Sequence, residues 1–215
     1  MSIKENTVFL STTNSRYLPI TVNLVRTLNQ FHPEVKLCLL IVNLTEDEKE
    51  SLKGMHSNIE LIEDNGEFED FYHEKCHCAH NRTWHMPKLM ENHGYNIFWL
   101  DADVYLKDNI NELFEILERE DVDFMIRAKK LDPFTCNCGM VWVKNSEQNL
   151  EILKEWEQRA DDLGLLYWYS DQEGLNATIQ NNMHRIVYKD FPKKFNGIST
   201  NEESVLVHMK GPKNI

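Results

Sequence analysis

The sequence predicts an α/β fold in which mostly parallel strands form a central sheet with helices on both faces. Apolar runs at Thr7–Thr12 and Val35–Leu44 have the length and composition of buried strands, and Ile59–Asp64 follows as a third strand. Segments of helical spacing separate the three strands. Regular alternation of strands and helices is typical of a parallel sheet with helical crossovers.

Two different signals indicate the first two helices. Apolar residues recur at every third or fourth position from Leu18 to Leu28, which is the spacing of an amphipathic helix. Thr45 and Glu48 have the spacing of a capping box, in which each side chain bonds a backbone N–H group of the other residue. We therefore expect a short helix directly after Thr45.

The rest of the chain continues the alternation. The segment 66–82 is polar and rich in histidine, and we expect it to include a loop. A helix is predicted from Thr83 to His93, with Pro87 limiting its start, and a buried strand from Tyr95 to Leu100. Ser146 is the expected N-cap of a helix whose apolar stripe is Leu150, Leu153, Trp156, Ala160 and Leu163. The remaining predictions are helices at Asn109–Glu120 and Ser170–Ile179 and strands at Val122–Ala128, Gly139–Asn145, His184–Asp190 and Ser204–Met209.

Composition argues against several classes of protein. The chain has 215 residues, 41% of them hydrophobic, so it can bury a core of ordinary size. A formal net charge of −12 disfavours nucleic-acid binding, which needs a basic surface. The sequence has no membrane-spanning apolar stretch and no signal-peptide pattern, which predicts a cytoplasmic protein with reduced cysteines. Without repeats or linkers, residues 1–215 are expected to form a single domain, which could belong to a longer protein.

Two aspartates, Asp101 and Asp103, come directly after the strand predicted to end at Leu100. In open α/β sheets, ligands bind beyond the carboxyl ends of the strands. Carboxylate oxygens suit Mg²⁺ or Mn²⁺, and a phosphate group of a ligand can supply further oxygens. The pattern therefore indicates a metal that binds together with a diphosphate, although D-x-D also occurs in ordinary surface turns.

The segment FWLDADVYLKDNI, residues 98–110, resembles the D-x-D segment of GT-A fold glycosyltransferases, most of all the glycogenin and galactosyltransferase-type family. Three further segments are similar to family elements and occur in the same order. Their matching residues are Asn137 and Gly139 in an N-x-G strand, Asp171, Gln172 and Asn176 in a D-Q-D-x-x-N element, and His208, Gly211 and Lys213 in a C-terminal H-x-x-G-x-x-K element. Lys213 comes one residue early, and the Pro-Trp pair that usually follows is absent.

The resemblance implies a GT-A domain with a mixed, mostly parallel sheet. It also implies an enzyme that transfers a sugar from a nucleoside diphosphate sugar, with UDP expected, to a hydroxyl group of a glycan or another acceptor. The N-terminal half would bind the nucleotide, and the C-terminal half would complete the metal site and contact the acceptor. Mn²⁺ or Mg²⁺ would be held by Asp101, Asp103 and His208.

The resemblance further implies roles for individual residues. Asp171 would be a general base in an inverting enzyme, and Asp171 or Gln172 would face the oxocarbenium-like sugar in a retaining enzyme. Of the basic residues before D-x-D, Lys88 is favoured over Arg82 because it lies on the predicted helix. The residues expected to bind the donor are Thr12, Thr13, Asn14, Tyr17, Lys88, Ala102, Gly211 and Lys213, and those expected to line the sugar pocket are Asn137 and Gly139.

Other readings of the same residues stay open. Tyr17 could pack in the core, Asp171 could cap a helix, and His208 could be an ordinary core or surface histidine. The segment HEKCHCAH, residues 73–80, could bind zinc together with Cys136 and Cys138, although C-x-C spacing fits structural zinc poorly.

Three other protein classes are alternatives to a glycosyltransferase. A haloacid-dehalogenase-like phosphatase would carry its D-x-D motif on the first strand and would need Thr or Val where Tyr105 stands. A nucleotidyltransferase would need a glycine-rich loop after the first strand, and "STTNSRYLP" has no glycine. A non-catalytic nucleotide-sugar-binding domain on the same fold is the main alternative, and metal-dependent hydrolysis of the donor would distinguish it from an enzyme.

Overall fold

The computed structural model describes residues 2–131, 134–198 and 203–209. The strands are β1 (Thr7–Asn14), β2 (Lys36–Val42), β3 (Ile59–Glu63), β4 (Asn96–Leu100), β5 (Val104–Leu106), β6 (Phe124–Leu131), β7 (Phe134–Val143), β8 (Tyr188–Lys189), β9 (Gly197–Ile198) and β10 (Leu206–His208). The helices are α1 (Leu18–Phe31), α2 (Glu46–Lys53), α3 (Phe71–His93), α4 (Asn111–Arg119), α5 (Glu147–Leu163) and α6 (Ser170–Asn182), and a 3₁₀ turn covers Lys193–Phe195.

Within these described ranges, the central sheet has seven strands in the order β3-β2-β1-β4-β7-β6-β8. Strands β3, β2, β1 and β4 run parallel to one another, whereas β7 pairs antiparallel with both β4 and β6. The prediction of a mixed, mostly parallel sheet flanked by helices is therefore confirmed. The order reverses at β1, and the carboxyl ends of neighbouring strands diverge at such a switch point to leave room for a ligand.

The two faces of the sheet carry separate apolar cores. Phe9 of β1 packs on the face covered by helices α1, α2 and α4, whereas Val8 and Leu10 pack on the face covered by α3, α5 and α6. Successive side chains of a strand point to opposite faces, so a continuous apolar run is required when both faces are buried. This requirement explains why the predicted central strands were recognisable from composition alone.

Helix α3 is longer than the sequence predicts, because it begins at Phe71 rather than at Thr83. Asp70 caps it by accepting a hydrogen bond of 2.9 Å from the backbone N–H group of His73. Pro87 lies inside the helix, where its missing N–H group removes one helical hydrogen bond. Burial of the polar segment that was expected to be a loop outweighs this cost, since Cys76 and the residues that follow it pack against the sheet.

Two predicted helix N-caps are confirmed, and one residue predicted to be buried is exposed. Thr45 and Glu48 form the predicted capping box, and Ser146 caps α5 by accepting from the N–H group of Asn149. Leu163 was expected on the buried stripe of α5, but it is 45% exposed because the helix ends there and the chain turns away at Gly164. No helix in the described part of the chain is both long enough and apolar enough to cross a lipid bilayer.

A second, smaller sheet carries the end of the described chain. Its order is β5-β10-β9 in the residues that the structure describes, and β5 was not predicted from the sequence. Strand β10 runs antiparallel to β5 with His208 opposite Val104. This pairing brings a residue near the end of the chain to the turn that follows β4.

Candidate active site

Three side chains that could ligate a metal meet beyond the carboxyl end of β4. Asp101 and Asp103 lie in the turn between β4 and β5, and His208 lies on β10. One ligand atom from each residue lies within 4.8 Å of the other two, and no other such group of three forms among the described residues. His208 Nε2 is 3.0 Å from Asp103 Oδ1 and 3.7 Å from Asp101 Oδ2.

Backbone hydrogen bonds hold this turn in place. The N–H group of Asp101 donates to Gly139 O at 2.8 Å, which ties the turn to β7. The N–H group of Met209 donates to Asp103 O at 2.9 Å, which ties the turn to β10. The indole Nε1 of Trp99 also donates to Asp101 Oδ1 at 2.8 Å, so that the carboxylate is oriented from within the core. The ligand geometry is therefore built by three separate segments of the chain.

Gly139 is required by the closeness of these groups. A Cβ atom at this position would lie 2.3 Å from His208 Cε1 and 2.7 Å from Asp101 Oδ2, distances that real Cβ atoms do not adopt. The close approach of β7 to the turn leaves the two carboxylates and the imidazole facing one small space. Two hard oxygens and one nitrogen are a donor set that suits Mn²⁺ and also Mg²⁺, so the residues fit a divalent cation.

The two carboxylates give the group formed by Asp101, Asp103 and His208 a negative charge. Burial by itself lowers the pKa of His208, but its hydrogen bond to Asp103 and the charge of Asp101 outweigh burial and raise that pKa above its ordinary value. The imidazole therefore attracts a proton in the absence of another cation. A divalent ion would replace that proton.

Arg82 is the cation that meets the aspartates inside the protein. Its Nη1 lies 3.1 Å from Asp101 Oδ1, and its Nε lies 3.1 Å from Asp171 Oδ2. It also donates to the backbone oxygens of Ala79 and Cys138, so Nε and Nη1 of this buried guanidinium are both engaged. Burial alone lowers the pKa of Arg82, but Asp101 and Asp171 more than offset burial and raise it, so that the charge persists.

Asp171 lies in the first turn of α6, with its carboxylate directed at Arg82. The N-cap residue of α6 is Tyr169, so Asp171 is not the capping residue that the alternative interpretation expected. Cys138 Sγ also donates to Asp171 Oδ2 at 3.3 Å and lies 4.0 Å from Gln172 Oε1. Burial raises the pKa of the Cys138 thiol well above its ordinary value, so the sulfur keeps the proton that it donates.

The carboxyl end of β1 offers polar groups next to this centre. Thr12 accepts a hydrogen bond of 3.1 Å from Asn81 Nδ2 of α3, and Asn14 accepts one from the N–H group of Tyr17. Among the described residues, Asn14 Nδ2 and Asn81 Oδ1 are both buried without a hydrogen-bond partner. Buried polar atoms of this kind are costly unless a ligand or water satisfies them. They are therefore candidate contacts for the base or ribose of a nucleotide.

Thr13 differs from its two neighbours. Its hydroxyl lies 2.8 Å from that of Thr21 on α1, on the opposite face of the strand from Thr12 and Asn14. The expectation that Thr12, Thr13 and Asn14 all face the donor is corrected for Thr13, since successive residues of a strand cannot share a face.

Tyr17 stands beside the crevice. Its ring stacks on that of Phe71 with centroids 6.4 Å apart, and Arg16 Cζ lies 4.0 Å from the centroid of the Phe71 ring. Burial, followed by the charge of Asp103, raises the pKa of the Tyr17 hydroxyl. The ring is half-buried and fits either core packing or stacking on a base.

The preference for Lys88 over Arg82 is not supported by the structure. Lys88 is exposed, whereas Arg82 is almost completely buried between two carboxylates. Six residues at about 100° per residue turn Lys88 about 240° around the helix from Arg82. The sequence predicts that this helix begins at Thr83, after Arg82, and therefore does not place Arg82 on it. Trp99 and Cys138 also contact the carboxylates of this site. The sequence did not predict their roles, because neither is a motif residue.

The other predicted residues take the following positions. Asn137 Oδ1 accepts from the N–H group of Gly139 at 3.0 Å, and Asn176 Oδ1 accepts from that of Cys136 at 2.8 Å. Ala102 is half-buried in the turn between the two aspartates. Gly211 and Lys213 lie outside the described residues. Within the described part of the chain, the two C-x-C pairs and their neighbouring histidines do not form a metal-ligating group of three.

A family model described as nucleotide-diphospho-sugar transferase matches residues 39–213. No curated protein matches the sequence. Among solved structures, the galactosyltransferase LgtC in complex with donor and acceptor sugar analogs is similar with a TM-score of 0.61 at 15% identity, over 95% of this chain and 87% of that chain.

Two further solved structures give comparable values. Mouse xyloside xylosyltransferase 1 has a TM-score of 0.59 at 14% identity, over 97% of this chain and 99% of that chain. The glycosyltransferase GlyE of Streptococcus pneumoniae TIGR4 has a TM-score of 0.61 at 15% identity, over 94% of this chain and 53% of that chain. At identities this low, the likeness shows a shared fold alone.

Proposed function

This chain belongs to the nucleotide-diphospho-sugar transferase family, and we propose that it transfers a sugar from a UDP-sugar to a hydroxyl group of a glycan, with Mn²⁺ or Mg²⁺ at Asp101, Asp103 and His208. Its GT-A fold and its identity as a glycosyltransferase agree with the sequence-based expectations. The observation that carries the proposal is the convergence of two carboxylates and one imidazole at the carboxyl end of β4.

The metal-ligating group suits a ligand that brings a diphosphate. Three protein ligands leave coordination positions for phosphate oxygens, and the bound ion would neutralise charge that develops on the departing diphosphate. A protein with a net charge of −12 needs such local compensation to hold an anionic donor. Arg82, whose Nη1 lies 3.1 Å from Asp101 Oδ1, provides a second, permanent cation beside the metal-ligating group.

Asp171 is proposed to act on the sugar rather than to take a proton. Its Oδ2 forms an ion pair with Arg82 and accepts a hydrogen bond from Cys138, so both contacts hold the carboxylate as an oriented anion. A fixed negative charge stabilises the positive charge that develops on a sugar ring as the bond to the leaving group breaks. Gln172 is half-buried beside it and is proposed to contact the same sugar. Asn137 and Gly139 are proposed to line the sugar pocket because they border the metal turn.

The nucleotide is proposed to lie at the end of β1. Thr12, Asn14 and Tyr17 line this crevice together with Asn81, whose Oδ1 and the Nδ2 of Asn14 are the buried, unsatisfied atoms. The choice of a UDP-sugar rests on the resemblance to the glycogenin and galactosyltransferase-type family. The choice of a glycan acceptor is supported by LgtC, whose structure contains donor and acceptor sugar analogs, and by the xyloside xylosyltransferase.

The test is release of nucleoside diphosphate from a panel of UDP-, GDP- and TDP-sugars in Mn²⁺, Mg²⁺ or EDTA. We expect release from a UDP-sugar that requires the metal and is lost in Asp103→Asn. Asp47→Asn is the matched control, because Asp47 is an exposed aspartate in the first turn of α2 and should leave release unchanged.

Calorimetry on the same samples separates chemistry from binding. Binding of a UDP-sugar without turnover would point to the non-catalytic alternative, or to a strict requirement for acceptor that added oligosaccharides would reveal. A protein that binds none of the donors in any metal would contradict the proposal.

A further inference from the structure

A cavity of about 310 Å³ lies on the flank of α3, outside the group formed by Arg82 and the metal-ligating residues. This volume is at the small end of the range for ligand pockets. Its walls are apolar and aromatic, and its rim is acidic. Its lining residues include Phe68, Trp84, Leu165, Leu166, Glu67 and Glu69.

The aromatic wall of the cavity includes His77, and it is held by contacts among its own rings and by two aspartates. The ring of His77 packs between those of Phe68 and Trp84, with centroid distances of 5.1 Å and 5.2 Å. His77 Nε2 lies 2.7 Å from Asp64 Oδ2, and Trp84 Nε1 donates to Asp161 Oδ1 at 3.1 Å. His77 Nε2 and Trp84 Nε1 are thus engaged, and these contacts hold the aromatic lining in a preformed site.

An exposed apolar band leads from the cavity to the reacting centre. Leu166 is 58% exposed, and large hydrophobic side chains around it are exposed by 40% or more. The members of this band are Leu165, Leu166, Tyr167, Tyr169 and Tyr72. A contiguous group of exposed apolar side chains on a soluble domain indicates a surface that binds something.

The band ends at Asp171. Leu165 and Leu166 line the cavity, and the chain then passes α3, where Lys75 Nζ lies 3.8 Å above the ring of Trp168. At the end of the segment, Ser170 Oγ lies 2.7 Å from His80 Nε2, and the next residue contacts Arg82. A molecule lying along this band would therefore reach from the cavity to the proposed site of sugar transfer.

We propose that the cavity and the band bind uncharged sugar units of the acceptor glycan, at a distance from the unit that receives the sugar. The inference rests on the proposed function and names the acceptor class for the same site. Aromatic faces pack against the C–H surface of a sugar ring, while carboxylates and imidazoles accept or donate hydrogen bonds to its hydroxyl groups. The cavity combines both chemistries in one place.

The charge of the cavity selects among glycans. Glu67 and Glu69 at the rim are exposed, and Asp64 and Asp161 stand directly behind the aromatic wall. Four carboxylates around one cavity repel acidic sugars and anionic lipid surfaces. The acceptor is therefore a neutral oligosaccharide rather than a uronic-acid glycan or an anionic membrane.

Binding to a glycan array tests the proposal without donor and therefore independently of turnover. The array would hold oligosaccharides of neutral hexoses and pentoses beside uronic-acid oligosaccharides. We expect binding to an oligosaccharide of neutral sugars. This binding should weaken about tenfold in Leu166→Ser, which is the loss expected when a leucine side chain no longer contacts the bound glycan. Trp84→Leu keeps apolar bulk but removes the aromatic face, and it should weaken the same binding.

Leu163→Ser is the matched control, because Leu163 is similarly exposed on the same part of the chain but does not line the cavity. Donor hydrolysis should be equal in wild type, Leu166→Ser and Leu163→Ser, while the KM for the acceptor should rise in Leu166→Ser alone. If wild type neither binds nor hydrolyses any donor, the proposed function fails, and array binding still decides on the cavity.

Several results would overturn the inference. These are absence of binding to every neutral glycan, equal binding by the Leu166 and Leu163 variants, or preference for uronic-acid glycans. Binding to phosphatidylcholine–phosphatidylglycerol vesicles that is lost in Leu166→Ser would identify a membrane as the occupant instead. A concentration-dependent dimer that Leu166→Ser dissociates would identify a second copy of the chain.

Discussion

Arg82 Nε lies 3.1 Å from Asp171 Oδ2 in an ion pair, and the two residues are only 6% and 3% exposed. The same guanidinium contacts Asp101, so one cation joins the metal turn after β4 to the start of α6. A buried charge is tolerated only when its partners are complete, because removal from water is costly. This arrangement makes Arg82 a structural requirement as well as a candidate contact for the donor.

Replacement of Arg82 by Met should destabilise the protein by about 3–5 kcal/mol, because two carboxylates would be left in a buried place without their cation. Urea unfolding in EDTA measures this loss. Arg159→Met is the control, since Arg159 forms a partly exposed i,i+4 pair with Glu155 and should cost less than about 1 kcal/mol. Equal losses in the two variants would show that the Arg82 pair is no more than a surface ion pair.

Gly139→Ala should abolish tight Mn²⁺ binding while the protein still folds. The added Cβ would meet His208 Cε1 at 2.3 Å and Asp101 Oδ2 at 2.7 Å, so the ligands must separate. Gly54→Ala is the control, because no atom lies within 4 Å of the added Cβ there. Calorimetric titration with Mn²⁺ checks both variants, and unchanged affinity in Gly139→Ala would mean that the ion binds elsewhere.

Mn²⁺ binding should weaken as the pH falls. Although burial alone lowers the pKa of His208, Asp103 and Asp101 raise it overall, so in the metal-free protein a proton competes for the nitrogen that would bind the ion. Below the raised pKa, the apparent Kd should rise about tenfold per pH unit. Titrations between about pH 8 and pH 5.5 measure this slope. His208→Gln should bind Mn²⁺ more weakly and lose the slope, and an unaltered slope in that variant would exclude His208 as a ligand.

The sequence predicted the sheet well because its central strands are buried on both faces and must be continuously apolar. Asp101 and Asp103 were recognisable for a related reason, since polar residues directly after such a strand mark the edge of the sheet. His208 was found by resemblance, and the convergence itself depends on β5, a three-residue strand that pairs with β10 and is too short to have a pattern. Local signals do not encode pairing between residues so far apart.

The largest error concerned the start of α3. Polar and histidine-rich composition favoured a loop, yet tertiary burial made this segment helical and carried Arg82 into the core. Propensity is a weak guide where packing decides the conformation. The choice of Lys88 followed from the same error, because only the full helix shows which basic residue faces the aspartates. The single Asp70 cap was the signal that could have corrected both.

His32 is a buried histidine far from any motif. It follows the last residue of α1, and its Nε2 accepts a hydrogen bond of 2.9 Å from the N–H group of Ile110, the N-cap residue of α4. Burial, with a smaller contribution from the charge of Lys4, lowers the pKa of His32 to about 4. The folded state therefore requires the neutral imidazole, which joins the ends of two helices.

Stability should fall as the pH falls from about 6.5, where a histidine in the unfolded chain takes up a proton, to about 4, where His32 in the folded protein does so. Between these values the unfolded state binds the extra proton, and about 2 kcal/mol should be lost by pH 5. His32→Gln keeps an acceptor for the Ile110 N–H group but cannot titrate. Urea unfolding at several pH values should therefore give a shallower pH dependence for His32→Gln, with His56 and the other histidines common to both proteins. Parallel curves for the two proteins would show that His32 is not a source of the acid sensitivity.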